Sequence, residues 1–342
     1  MKARTQRREF ITLLSGAAAW PLAAGAQQAA IPVIGYLSLG GTLTLGAPVQ
    51  SEPVSAFRKG LSEMGYVEGR NLAIEFRWGQ NDRGRMQELA ADLVRRRVAV
   101  IAAAGTTAPL TAKALTSTIP IVFQTGIDPV QSGFVASLNR PGGNVTGITT
   151  EDSELGAKRL GLLHALLPRA ERFAALMDPG SHNVGNEIAA LQMAAAETFL
   201  PRPLVGHLQV EVFYAGTNAE IDTAFASLVQ NRADALLVLP SQFFVNRRVQ
   251  LATLAAHYRV PASHSSREYV EAGGLMSYGA SITDRFRQVG IYTGRVLKGE
   301  KPADLPVMQS TRFEFVINLQ TARLLGIEFP PTLLAIADEV IE

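Results

Sequence analysis

Residues 98–125 read VAVIAAAGTTAPLTAKALTSTIPIVFQT, and this stretch decides the fold class. The unbroken apolar run at 98–104 is typical of a strand that is buried on both faces. Residues 108–115 have the composition and length of a short helix, and 121–125 form a second apolar run. A strand, a helix and a second strand in this order predict a βαβ unit, in which the two strands are parallel.

The same alternation extends in both directions along the chain. Residues 31–38, 72–78 and 144–149 are further strand candidates, and helical apolar faces lie between the first three strands. A second series begins after Ser153, with predicted strands at 173–177, 208–213, 235–239, 261–265 and 274–278. The pattern predicts an α/β protein with two doubly wound parallel-sheet lobes in tandem, and a helix at 283–297 that returns to the first lobe.

The first 26 residues differ from the rest of the chain. Four basic residues precede a soft apolar stretch at 11–22, and the segment ends in Ala24-Gly25-Ala26, a small-x-small cleavage pattern. This arrangement predicts a signal peptide that is removed after about Ala26, and therefore a periplasmic protein. Arg7 and Arg8 resemble the twin-arginine export pattern, although Gln6 replaces the usual serine and Thr12 the usual lysine.

Charge and composition exclude several classes of function. The 342-residue chain has a net charge of +2, but residues 1–26 contribute +3, so the remainder carries −1 and offers no electrostatic case for nucleic acid. The chain contains no cysteine, which excludes disulfides, thiolate metal sites and a cysteine nucleophile. The five histidines show no metal-ligand spacing, and no dinucleotide, P-loop or nucleophile-elbow motif is present. We therefore predict no metal, no cofactor and no catalytic residue.

Ligands of open α/β sheets bind beyond the carboxyl ends of the strands. In the first lobe, small hydroxyl or carboxyl side chains occupy three such positions, and the candidate ligand-binding residues are Ser38, Thr106, Thr107, Thr125 and Asp128. Hydroxyl groups and free N–H groups at a helix start suit a carboxylate, and Asp128 suits an ammonium. Simple helix capping by Ser, Thr and Asp is the alternative, and the sequence leaves it open.

The second lobe offers matching candidates, which are Asn183, Ser241, Glu268 and Tyr278. Asn183 and Ser241 suit hydrogen bonds to a ligand, Glu268 suits a cationic group, and Tyr278 suits an apolar or aromatic moiety. The alternatives are a helix cap for Asn183, core packing for Tyr278 and a solvated loop carboxylate for Glu268. A serine hydrolase that pairs His182 or His264 with a nearby serine also stays open, because triads assemble from distant positions.

Seven segments of the chain closely resemble the ABC transporter substrate-binding protein family that includes tryptophan and tyrosine binders. They are RREFITLL (7–14), IPVIGYL (31–37), GYVEGRN (65–71), TIPIVF (118–123) with DP (128–129), SLNRPGGNVTG (137–147), GGLMSYG (273–279) and FVINL (315–319). The resemblance implies a type I periplasmic binding protein fold, with two lobes joined by a hinge of three crossings. By this analogy lobe 1 comprises 31–149 plus about 282–310, and lobe 2 comprises 150–281 plus about 311–342.

The resemblance also implies a function. A periplasmic solute-binding protein of an ABC importer closes its two lobes on a small carboxylate-bearing ligand, here an apolar or aromatic amino acid, and delivers it to a permease in the inner membrane. The chain is expected to be a monomer. It departs from the family's usual Asn-Pro-Asn-Asn pattern after the first strand of lobe 2, where residues 178–183 read DPGSHN. The rival interpretations are an exported α/β enzyme acting on a small molecule and the effector domain of a transcription regulator.

Overall fold

The computed structural model describes residues 31–40, 51–80, 82–150, 152–181, 184–196 and 208–342. The predicted signal peptide, Asn183 and His182 lie outside the described residues. From Pro32 onward the chain is one compact unit built around two β-sheets.

The first half of the chain alternates strands and helices. Its elements are β1 (Val33–Ser38), α1 (Glu52–Glu63), β2 (Ala73–Trp78), α2 (Arg83–Arg95), β3 (Val100–Ala104), α3 (Thr107–Leu115), β4 (Ile121–Thr125) and β5 (Val145–Thr149). The βαβ unit predicted at 98–125 is present as β3, α3 and β4, and β3 pairs with β4 in parallel.

The second half repeats this alternation and then returns to the first sheet. Its elements are α4 (Asp152–Leu166), β6 (Arg172–Met177), α5 (Val184–Ala196), β7 (Gln209–Tyr214), α6 (Asn218–Gln230), β8 (Ala235–Val238), α7 (Gln242–Asn246), α8 (Arg248–His257), β9 (Ala262–His264), α9 (Arg267–Glu271), β10 (Met276–Ala280), α10 (Ile282–Leu297), β11 (Met308–Gln309), β12 (Phe313–Asn318), α11 (Leu319–Leu325), α12 (Pro331–Leu334) and β13 (Glu339–Ile341).

The two sheets define two α/β lobes, as the sequence predicts. Strand order is β11-β5-β4-β3-β1-β2 in lobe 1 and β13-β12-β10-β9-β8-β6-β7 in lobe 2. Among the strands of the described residues, all pairings are parallel except β10 with β12, which run antiparallel. Each sheet has a buried apolar cluster on both faces, so each lobe is a three-layer unit with helices outside and strands inside.

The chain passes between the two sheets three times, after β5, after β10 and after β11. Backbone hydrogen bonds tie these crossings together. The N–H of Ser310 donates to the carbonyl oxygen of Thr149 at 2.8 Å, and the N–H of Ser281 donates to the carbonyl oxygen of Arg312 at 2.9 Å. The crossings therefore form one hydrogen-bonded hinge region between the lobes.

Helix α10 packs against α1 of lobe 1. Glycines allow the two backbones to touch, since a Cβ built on Gly60 would lie 1.9 Å from the carbonyl oxygen of Arg287. A Cβ on Gly290 would lie 2.2 Å from the carbonyl oxygen of Phe57. The ion pair between Arg287 and Glu63, at 2.8 Å, borders the same contact.

The segment after β8 forms two helices, α7 and α8, because Arg247 between them has a non-helical φ of −111°. Two features of the second sheet differ from the expected pattern. The periodicity alone does not place β12 and β13 in the second sheet, and β12 adds the antiparallel pair to a sheet expected to be parallel. The strand at 274–278 also begins two residues later than expected, at Met276.

Candidate functional site

The lobe 1 wall of the candidate site consists of hydroxyl side chains at adjacent strand ends. Ser38 ends β1, Thr125 ends β4, and Thr106 follows β3, which lies between them in the sheet. Ser38 and Thr125 are buried, and the hydroxyl oxygens of Thr106 and Thr125 lie 3.2 Å apart. The parallel sheet therefore gathers these three predicted residues at one edge, beside the N-terminus of α3.

Thr107 and Asp128 lie in the same loops. Thr107 is the first residue of α3, and its carbonyl oxygen accepts a hydrogen bond from the Thr111 hydroxyl at 2.8 Å. The Asp128 carboxylate accepts backbone N–H bonds from Val130 at 2.7 Å and from Gln131 at 3.1 Å. These bonds match the capping alternative, so at least one oxygen of Asp128 stabilises its own turn.

The opposite wall belongs to lobe 2 and contains a hydrogen-bonded pair. The Ser241 hydroxyl donates to Asp178 Oδ2 at 2.6 Å and accepts the N–H of Phe243 at 3.1 Å, which caps α7. Asp178 follows β6 and Ser241 follows β8, and these strands are neighbours in the sheet. Ser241 therefore connects two loops of the wall, which its sequence position did not reveal.

Glu268 is the charged group of the lobe 2 wall. It lies in the first turn of α9, and its carboxylate accepts a hydrogen bond from the Ser266 hydroxyl at 3.2 Å. Burial raises the pKa of Glu268, whereas the Ser266 hydroxyl and the charges of Arg248 and Arg285 act in the opposite direction. A largely desolvated carboxylate with a raised pKa gains free energy from any cation placed beside it.

The charges around Glu268 come from both lobes. Arg248 begins α8 in lobe 2, while Arg285 lies in the first turn of α10 and Glu52 begins α1, the two packed helices of lobe 1. The Thr283 hydroxyl donates to the Glu52 carboxylate and holds it beside the start of α10. Glu268 is therefore half-buried and lies near charged groups of both lobes, which favours a position beside the cleft over the solvated-loop alternative.

Sequence reasoning missed Glu52, Arg248 and Arg285. All three lie in the first turn of a helix, where charged residues are common for reasons of local stability. The signal that could have identified them is their position, since each helix starts at the strand-end edge of its sheet.

Tyr278 occupies a different environment from the other candidates. Its ring stacks on Phe313, with centroids 6.1 Å apart and planes inclined by 18°, and meets Phe315 edge-on at 6.5 Å. It packs against the buried apolar cluster of lobe 2, and burial raises the pKa of its hydroxyl. These contacts match the alternative in which Tyr278 packs against the core.

Direct contacts join the two walls. The Arg83 guanidinium at the start of α2 in lobe 1 donates to the carbonyl oxygen of Gly180 in the β6–α5 loop of lobe 2. Gly40, after β1, lies against Gln242 at the start of α7, since a Cβ built on Gly40 would be 2.8 Å from Gln242 Nε2. The lobes are therefore in a closed arrangement.

The described residues contain little that suggests bond chemistry. His264 is completely buried, and neither ring nitrogen has a hydrogen-bond partner within the described part of the chain. Burial, with a smaller contribution from Arg159, lowers the pKa of His264 to about 3, so the ring stays neutral near pH 7. Among the residues that the structure describes, no group of three or more His, Asp or Glu side chains is arranged to hold a metal ion.

The family model for "ABC transporter substrate binding protein" matches residues 42–341. The chain belongs to this family. Its sequence is 28% identical to a tyrosine-binding protein of Clostridioides difficile over 283 residues, which is 82% of this chain and 78% of the relative. The resemblance stated from the sequence motifs is thus confirmed, and family membership indicates a substrate-binding protein rather than an enzyme.

Solved structures agree with this assignment. A conserved domain protein of Vibrio cholerae superposes with a TM-score of 0.81 at 23% identity, covering 91% of this chain and 99% of that one. An ABC domain of Streptococcus pneumoniae in complex with L-Trp superposes with a TM-score of 0.79 at 25% identity and the same coverage. Both confirm the two-lobed α/β fold. None of the helices in the described ranges is long and apolar enough to cross a membrane.

Proposed function

We propose that the protein is the periplasmic solute-binding component of an ABC importer and that its ligand is an amino acid with an aromatic or apolar side chain. The observation that carries this proposal is the position of Glu268, a half-buried carboxylate of lobe 2 that lies near the charged groups of Glu52 and Arg285 in lobe 1. The tyrosine-binding relative and the neighbour solved with L-Trp support the same ligand class.

The two walls suit the two charges of an amino acid. The α-ammonium binds beside Glu268, where it compensates the desolvated carboxylate. The α-carboxylate binds beside Ser38, Thr106, Thr107 and Thr125, where hydroxyl groups and the N-terminus of α3 provide donors. We propose that Asp128, Asn183, Ser241 and Tyr278 complete the binding site as further ligand contacts.

Binding is coupled to lobe closure and involves no bond chemistry. A ligand that touches both walls stabilises the closed arrangement by its differential affinity for that arrangement over the open one. The closed surface is then recognised by a permease in the inner membrane. We propose that lobe 1 comprises 31–149 plus about 282–310, that lobe 2 comprises 150–281 plus about 311–342, and that the protein acts as a monomer.

We propose that the signal peptide at 1–26 directs export by the twin-arginine route. This route delivers the mature protein to the periplasm. The charge distribution supports a distinct N-terminal segment, since the four basic residues of this region account for the positive net charge of the chain. The remaining body, with a charge of −1, has no general attraction to nucleic acid.

Ligand affinity is expected to fall in acid. Burial raises the pKa of Glu268 in the free protein, whereas a bound ammonium lowers it. The free protein therefore takes up a proton more readily than the complex, so affinity is constant near neutral pH and decreases once the pH falls below the pKa of Glu268 in the free protein. Calorimetric titration between pH 7.5 and pH 4.5 measures this dependence. The Glu268→Gln variant should lose it, and an unchanged dependence in that variant would assign it to another group.

A thermal-shift screen tests the proposed function. Purified mature protein is screened against amino acids, aromatic acids lacking an amino group and small carboxylates, with small-angle scattering on each hit. We expect stabilisation by aromatic or apolar amino acids and a decrease in the radius of gyration on binding. No stabilisation by any of these compounds, combined with turnover of an ester or phosphoester, would instead support the exported enzyme.

A further inference from the structure

The two direct contacts between the lobes are connected through lobe 2 by one hydrogen-bond network. On one side, Arg83 of lobe 1 reaches the carbonyl oxygen of Gly180. A Cβ built on Gly180 would lie 3.0 Å from Arg83 Nη2 and 3.1 Å from Asp178 Oδ1, so the three groups are closely packed. Arg83 is exposed on lobe 1 and has no acidic neighbour in the first turn of α2.

Asp178 organises the loop that receives Arg83. One carboxylate oxygen, Oδ1, accepts the N–H of Gly180 at 2.8 Å, and the carbonyl oxygen of Asp178 accepts the N–H of Ser181 at 2.9 Å. These bonds fix the peptide whose carbonyl meets Arg83. The position of the Gly180 carbonyl oxygen therefore depends on Asp178. Within the described residues, the Asp178 carboxylate bonds to lobe 2 and not to lobe 1.

The other carboxylate oxygen of Asp178 leads to the second lobe–lobe contact. Oδ2 accepts the Ser241 hydroxyl at 2.6 Å, and Ser241 in turn caps α7 by accepting the N–H of Phe243 at 3.1 Å. Gln242, the residue between them, lies against the buried Gly40 of lobe 1. A hydroxyl has two acceptor lone pairs, so Ser241 can hold this position and still accept a hydrogen bond from a ligand.

The placement of Arg83 supports a role outside its own helix. A cation in the first turn of a helix is unfavourable, because the N-terminus carries a partial positive charge. The first turn of α2 contains Arg83 and Arg85, and the one carboxylate beside it is that of the N-cap residue Asp82, which accepts the N–H of Arg85 at 3.2 Å. Arg85 bonds to Gln80 of its own lobe at 2.8 Å, whereas Arg83 bonds to lobe 2. Two arginines two residues apart on one helix thus differ in whether they join the lobes.

We propose that Arg83, Asp178 and Ser241 form a closure clamp, which stabilises the closed arrangement of the lobes independently of ligand and sets the rate of ligand release. The inference goes beyond amino-acid binding, because protein atoms alone make the contacts. The Arg83 contact exists only when the lobes meet, so its loss should accelerate dissociation and leave the association rate unchanged. Asp178 and Ser241 act as positioning residues, since they hold the loops that meet lobe 1.

Dye-labelled protein tests the clamp without any ligand. The chain has no native cysteine, so Gln87→Cys on α2 and Val229→Cys on α6 introduce one exposed labelling site in each lobe. Energy transfer between the dyes reports the ratio of closed to open molecules. Arg83→Ala should lower this ratio about 3- to 10-fold, the effect of losing one hydrogen bond of ordinary net strength at an exposed site. Arg85→Ala is the matched control and should leave it unchanged.

An equal ratio of closed to open molecules in the Arg83→Ala and Arg85→Ala proteins would overturn the proposal. Asp178→Ala provides a second variant, and thermal melting verifies that each protein is folded. With L-Trp or L-Tyr as the probe, Arg83→Ala should raise the dissociation rate about 3- to 10-fold at constant association rate; an equal change in the Arg85→Ala protein would also contradict the clamp. If no amino acid binds, the proposed function fails, and the ligand-free dye measurement still decides on the clamp.

Discussion

Glu268→Gln is expected to weaken amino-acid binding by about tenfold to a hundredfold, the usual effect of losing a hydrogen bond between two charged groups. Gln keeps the size and the hydrogen-bonding capacity toward Ser266 but removes the negative charge. Because Glu268 is mostly desolvated, its charge is poorly screened by water, and the loss should be larger than for an exposed carboxylate. Calorimetric titration with L-Trp and L-Tyr measures the change.

Glu271→Gln is the matched control for this variant. Glu271 lies on the same short helix, but it is exposed and forms a surface ion pair with Arg267 at 2.9 Å. Exposed ion pairs contribute little, so both affinity and melting temperature should stay close to those of the unmodified protein. If Glu268→Gln and Glu271→Gln bind the same amino acid equally well, Glu268 does not receive the ammonium.

Gly60→Ala is expected to destabilise the protein by about 1–3 kcal/mol or more, the range for overpacking a filled contact. The added methyl group would lie 1.9 Å from the carbonyl oxygen of Arg287, which is backbone and cannot rotate away. Helices α1 and α10 would have to move apart, opening the buried apolar cluster that includes Phe57 and Val289. Denaturant unfolding measures the free-energy change.

Gly161→Ala is the control for Gly60→Ala and should act in the opposite direction. Gly161 also lies in a helix, α4, but a Cβ built there meets no atom within 4 Å. Alanine is favoured over glycine in a helix by about 1 kcal/mol, so this variant should be as stable as the unmodified protein or more stable. Similar destabilisation by both substitutions would show that the α1–α10 contact is not the cause.

The fold could be predicted from the sequence where local patterns determine it. Apolar runs of strand length followed by helical faces identified β1 to β10, because buried parallel strands and their crossover helices have distinct periodicities. The antiparallel strand β12 and the edge strand β13 lacked this signature, since β12 directly follows the hinge with no helix between β11 and β12, and β13 is only three residues long. Their inclusion in the second sheet depends on the pairing of β12 with β10 and of β13 with β12, which periodicity does not encode.

The candidate site could be predicted only in part. The strand-end rule placed Ser38, Thr106 and Thr125 together, because adjacent parallel strands end at the same edge. The same rule could not distinguish Asp128, which caps its own turn, from Glu268, which lies near charged groups of the opposite lobe. Nor could it find the contact between Arg83 and Gly180, since this contact depends on the relative position of two lobes that are far apart in sequence.

Calorimetric titration of the mature protein with L-Trp and with indole-3-propionate tests the central claim most directly. The two compounds share the indole ring and the carboxylate, and only L-Trp has the α-ammonium. With Glu268 as the ammonium site, L-Trp should bind one molecule per chain and indole-3-propionate at least about tenfold more weakly. Equal affinity for the two compounds, or the absence of binding by L-Trp, L-Tyr and every other amino acid, would contradict a cleft built for the two charges of an amino acid.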